Sequence, residues 1–131
     1  MFERDYILRL LNQFFDDLNM FINSRKKDKQ TYIVYLYNTY VGDYTFFHME
    51  SIDVVLESFN KYGSDERFER MQMLAELYFQ EAQLEIREVE NCHLYQKSLA
   101  IWECIQMNTN VYSIDRIQKI ELIRNILQRE R

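Results

Sequence analysis

The sequence predicts an all-α protein of about six helices stacked as antiparallel hairpins. Three observations carry that expectation. The 131 residues contain no proline and only two glycines, Gly42 and Gly63, so most signals for tight turns and helix stops are missing. Apolar residues recur at steps of three and four almost from end to end, the signature of a helix with one buried face. The segments between these periodic runs are short and polar, which favours antiparallel neighbours.

Residues 1–29 form the first expected unit. Ile7, Leu11, Phe14, Leu18 and Phe21 step by four and three, with Leu8, Phe15 and Ile22 in a row beside them. This makes an amphipathic helix of about six turns whose apolar stripe is wider than a coiled-coil seam. Asn23-Ser24 and the basic run Arg25-Lys26-Lys27-Asp28-Lys29 end it, the cations suiting the negative end of the helix dipole.

Residues 30–64 are expected to form a helix-loop-helix. The stretch from Thr31 to Tyr40 is β-branched and aromatic, and with Val41-Gly42-Asp43 it also fits a β-hairpin over residues 31–47. Tyr32, Tyr35, Leu36, Thr39 and Tyr40 fit one helix face equally well. An isolated hairpin has no sheet to join, so helix is the reading adopted, with Gly42 ending it. Ser51 is placed to cap a short helix from Ile52 to Tyr62, with Gly63 as its stop.

Residues 65–131 hold the remaining helices. Ser64 or Asp65 is expected to cap the longest, with Phe68, Met71, Ala75, Tyr78, Ala82, Ile86 and Val89 on its core stripe. That register puts Glu81, Glu85 and Glu88 together on a solvated acidic face. The next helix carries Leu94, Ser98, Ile101 and Ile105 flanked by Trp102, and ends near Asn108. Ser113 opens the last one, whose face is Ile117, Ile120, Ile123, Ile126 and Leu127.

Two segments resemble known families. Met1-Phe-Glu-Arg-Asp-Tyr-Ile-Leu-Arg followed by an amphipathic helix resembles the opening of a small, uncharacterised family of bacterial helical proteins. Residues 66–128 resemble a degenerate tetratricopeptide-type helix pair with a capping helix, most closely at Leu94-Tyr-Gln-Lys-Ser-Leu-Ala-Ile-Trp. The resemblance implies helical hairpins and carries over no functional residue.

Chemistry is sparse. His48 and His93 are far apart, and neither has a second ligand at metal-binding spacing. Cys92 and Cys104 lack a nearby glycine turn of the kind that forms an oxyanion site, and stand too far apart on one helix to bridge. The acidic face lacks the Glu-x-x-His partners of a di-metal bundle. No catalytic residue, cofactor or metal is therefore assigned. The net charge of -5, concentrated in residues 65–90, disfavours nucleic acid. With no apolar run long enough to span a bilayer and no signal peptide, a cytoplasmic setting is expected.

The function expected is a non-enzymatic protein–protein interaction module. Its candidate interface is Ile7, Leu11, Phe14, Phe15, Leu18, Phe21 and Ile22, more apolar surface than one core-facing side requires, and homodimerisation through the first helix is the simplest use of it. Two alternatives stand beside it. One is peripheral membrane association through the same helix and the basic run, disfavoured by the helix's acidic polar face. The other is a small-ligand pocket among Tyr35, Tyr37, Tyr40, Tyr44 and Trp102.

Overall fold

The computed structural model describes residues 2–84 and 88–129. Among them are seven α-helices: α1 (Phe2–Ile22), α2 (Lys29–Tyr40), α3 (Tyr44–Met49), α4 (Ile52–Ser58), α5 (Arg67–Leu84), α6 (Glu88–Asn108) and α7 (Ile114–Arg129). Short 3₁₀ turns at Lys26–Asp28 and Phe59–Lys61 complete the fold. The fold is all-α.

Local chemistry sets most boundaries. Ser24 Oγ donates to the Phe21 carbonyl and Lys29 Nζ to the Ile22 carbonyl, so the basic run satisfies the open end of α1. Residues 31–40 are helical, which resolves the hairpin alternative. The helix presents Ile33, Leu36, Tyr37 and Tyr40 to the core rather than the face through Tyr32 and Tyr35. Both faces satisfy helical spacing, and only packing chooses between them. Gly42 follows at φ +132°, a backbone state that side chains strain against. Its missing Cβ leaves room for the Phe47 ring, which would lie 3.3 Å from one.

The segment expected as a loop after Gly42 is a helix, α3, because the Asp43 carboxylate accepts from Thr45 N and caps it. Ser51 caps α4 as expected, but α4 stops at Ser58 and the 3₁₀ turn carries the chain to Tyr62. α5 starts at Arg67, after a turn in which Gly63 O accepts from Glu66 N and Arg67 N, so neither Ser64 nor Asp65 opens it. The expected continuous helix to Val89 is a second correction. α5 ends at Leu84, and α6, which begins at Glu88, lies antiparallel along it. Ser98 meets Ala75, Lys97 meets Tyr78 and Tyr95 meets Phe79 in falling register. Ile86 lies outside the described residues.

α5 is the central helix. It packs against α1, α2, α6 and the second 3₁₀ turn, and Met71, Met73, Leu74, Ala75, Leu77, Tyr78, Phe79 and Ala82 are buried around it. A helix buried on so many sides has no single stripe, which is why a one-face reading of α5 fails. α1 and α2 form an antiparallel hairpin, with Phe14 edge-on to Tyr40 and Phe21 edge-on to Tyr32. α6 and α7 form another, with Glu103 paired to Arg124 and Gln106 to Arg116. One hydrophobic core runs from Ile7 of α1 to Ile123 of α7. No helix among the described residues is long and apolar enough to cross a membrane.

Candidate functional site

The densest polar chemistry in the fold centres on Glu81, one turn before the end of α5. Glu81 is 2% exposed, not on a solvated face as its register suggested. It follows Leu77 and Tyr78 by four and three residues and shares their inward side. Tyr37 Oη of α2 donates to Oε1 at 2.7 Å, and Tyr44 Oη of α3 donates to Oε2 at 2.6 Å. His48 Nε2 of α3 lies 2.7 Å from the same Oε2. With the carboxylate ionised it offers only acceptors, so Nε2 is the ring nitrogen that carries the proton. Tyr44 stacks on His48 at 4.9 Å, and its ring stands edge-on to Tyr37 at 5.0 Å.

The surroundings hold this arrangement in place. Tyr78 Oη donates to the Phe47 carbonyl at 2.6 Å. Lys97 Nζ of α6 donates to the carbonyls of Phe47, His48 and Glu50, closing the end of α3, and lies 5.5 Å over the Tyr78 ring. Burial and the Glu81 charge push the Tyr37 and Tyr78 phenols well above their ordinary values, so both remain protonated donors. Burial lowers the Lys97 ammonium, an effect that Glu81 and Glu50 oppose. Three donors on one buried carboxylate hold α2 and α3 against α5.

The cluster joins two residues of the expected aromatic pocket, Tyr37 and Tyr44, and separates the others. Tyr40 Oη is bonded to the Asp17 carboxylate, Tyr35 is exposed, and Trp102 lines a cleft with Phe15, Gln72 and Ile105 that includes none of the other four. Glu85 lies outside the described residues, as does the side chain of Glu88, and the acidic face loses Glu81 to the core. His93 is exposed, Cys92 and Cys104 are free thiols, and Cys104 packs against the core. Among the described residues no group of three His, Cys, Asp or Glu side chains is placed to hold a metal.

The candidate interface on α1 is mostly interior. Ile7, Phe14, Leu18 and Phe21 are buried in the core, while Leu11 and Phe15 are partly buried against it. Ile22 is exposed. Among the side chains of α1 that the structure describes, the other exposed apolar residues are Tyr6, Leu8 and Met20, so with Ile22 these stand in pairs near the two ends and form no continuous stripe. The apparent surplus on α1 is absorbed by α2 and α5, which flank it.

Two surface features lie elsewhere. A cleft of about 450 Å³ is walled by Phe15 of α1, Gln72 and Glu76 of α5, Trp102 and Ile105 of α6 and the first turns of α7. At the adjoining corner, where α6 passes to α7, Met107 (84%), Val111 (69%), Tyr112 (76%) and Ile114 (57%) are exposed within eight residues. Beside Met107 runs a groove of about 330 Å³ between α6 and α7, floored by Ile117 and Ile120 and edged by Glu103, Glu121 and Arg124. Comparison of the chain with protein-family models, with curated proteins and with solved structures finds no match to any of them.

Proposed function

We propose that this protein is a self-associating helical module whose contact surface is the α6–α7 corner. The observation that carries the reading is the concentration of Met107, Val111, Tyr112 and Ile114 on one exposed corner. Burying a large apolar side chain contributes about 1.5–3 kcal/mol. Four from each copy offset an association cost of about 4–15 kcal/mol. The same corner offers both halves of a two-fold contact, projecting residues at Val111 and Tyr112 and an apolar groove over Ile117 and Ile120.

Charge favours a second copy as the occupant. Each chain carries -5, so copies repel through most of their surface. Along α7 and the facing edge of α6 the signs nearly balance, with Glu103, Asp115 and Glu121 against Arg116, Lys119, Arg124 and Arg129. Repulsion is smallest there. Sedimentation equilibrium tests the reading. A dimer is expected at roughly 100 µM, with Tyr112→Asp becoming monomeric and Leu8→Asp on α1 remaining dimeric. A monomeric wild type, or dissociation by Leu8→Asp instead, overturns it.

A further inference from the structure

The closed end of the α1–α2 hairpin differs in charge from the rest of the chain. Arg25-Lys26-Lys27-Asp28-Lys29 carries +3, whereas the other residues together carry -8. Between Leu18 and Gly42 the sequence holds a single carboxylate, Asp28. Lys29 is committed to the fold, its Nζ donating to the Ile22 carbonyl at 3.1 Å and lying 5.3 Å from the Phe21 ring centroid. Arg25 and Lys27 are exposed.

Apolar side chains stand beside these cations. Met20 (62%) and Ile22 (43%) are exposed on the last turn of α1, and Tyr35 (55%) is exposed on α2. Tyr35 stands edge-on to Tyr32 at 6.1 Å, and Tyr32 edge-on to Phe21, over which Lys29 lies, so the aromatic row leads from Tyr35 to the basic turn. Tyr35 is about 9 Å along α2 from Lys29, the depth of a bilayer's interfacial layer. Cations interleaved with exposed methionine, isoleucine and tyrosine suit that layer: the charges meet lipid phosphates, the apolar chains reach the acyl boundary, and tyrosine favours the interface.

We infer that the closed end of the α1–α2 hairpin docks, end-on, on an anionic bilayer surface. α1 does not lie flat, because Ile7, Phe14, Leu18 and Phe21 are in the core and only its last turn is offered. Its acidic residues therefore do not set the contact. Asp5 is about 25 Å along the helix from Ile22, and Asp17 is bonded to Tyr40 Oη. Asp16, one turn behind Met20, is the nearest exposed carboxylate of α1. The -8 carried elsewhere is repelled by the same surface and turns this end toward it. A nucleic-acid strand would satisfy the cations but leave Met20 and Ile22 without an apolar partner. The docking end shares no residue with the α6–α7 corner, so it stands or falls independently of self-association.

Vesicle flotation tests the inference. At about 0.1 M salt the wild type is expected to bind vesicles of about 30 mol% phosphatidylserine in phosphatidylcholine at least about tenfold more tightly than pure phosphatidylcholine, and to be released near 0.5 M salt. Each cation near an anionic surface strengthens binding by about fivefold, so Arg25→Glu with Lys27→Glu should weaken it by at least about tenfold. Arg9→Glu with Lys61→Glu changes the net charge equally at exposed positions elsewhere and should weaken it by less than about threefold. Met20→Ser and Tyr35→Ser, at exposed positions, should each weaken it by about threefold or more. Circular dichroism establishes that each variant keeps its helices. Equal binding to both vesicle types, no binding to either, or equal losses in the two charge-reversed variants overturns the inference. So does a single-stranded oligonucleotide that binds as tightly as the anionic vesicles and is unaffected by Met20→Ser.

Discussion

Replacing Glu81 by alanine tests whether one buried carboxylate orders three helices. The substitution removes the acceptor of Tyr37 Oη at 2.7 Å, of Tyr44 Oη at 2.6 Å and of His48 Nε2 at 2.7 Å. These donors do not lose equally. Tyr37 is fully buried, so its hydroxyl cannot turn to water, and a stranded buried donor costs about 1–3 kcal/mol. Tyr44 and His48 are partly exposed and regain water, so each contributes less. Lost methylene packing adds about 1 kcal/mol. Release of the carboxylate from its own desolvation works the other way, since a buried ion is costly to hold even when paired. The expected net loss is about 2–4 kcal/mol. Ala82→Leu, at the next and equally buried position, overpacks the helix contact and should cost about 1–3 kcal/mol. Urea denaturation followed by circular dichroism reads both, with the slope unchanged if the native state stays compact. A Tyr37→Phe variant closes a double-mutant cycle with Glu81→Ala, with an expected coupling of about 1–2 kcal/mol. A Glu81→Ala variant within about 0.5 kcal/mol of wild type refutes the reasoning and returns Glu81 to the solvated face that its 3–4 spacing suggested.

The two glycines should behave oppositely. Gly42→Ala forces a side chain to φ +132° and against the Phe47 ring, a loss of about 1–3 kcal/mol, whereas Gly63→Ala meets open space and should change stability by less than about 1 kcal/mol, both read by the same denaturation series. Tyr37, Tyr40 and Tyr78 have folded-state phenol pKa values raised above the unfolded 10.0, so their contribution to stability is fully present below pH 10 and is lost as pH rises toward the folded values. Spectrophotometric titration should show these phenols ionising together with the loss of helical signal, and smooth titration of all ten tyrosines with helicity retained would contradict that.

What the sequence determined by itself is the set of properties that act over a few residues. Absent proline, scarce glycine and unbroken 3–4 spacing dictate helices, because backbone freedom and local periodicity are local quantities. The Ser51 cap, the break at Gly42, the end of α1 at Asn23-Ser24 and the start of α7 after Ser113 were legible for the same reason. The tertiary structure alone decided which face of each helix turns inward. Residues 32–40 satisfy two helical faces, and α5 satisfies nearly all, so periodicity cannot choose until neighbouring helices are in place. That choice moved Glu81 from solvent to the interior and took Ile7, Phe14, Leu18 and Phe21 from a candidate interface into the core. One signal for Glu81 was present: it follows Leu77 and Tyr78 by four and three residues. Its partners Tyr37, Tyr44 and His48 come from more than thirty residues away, and no local pattern brings them together. The exposed corner and the Trp102 cleft are likewise products of where α6 and α7 meet. Side-chain chemistry is written residue by residue, but the desolvation that gives it force depends on what packs around it.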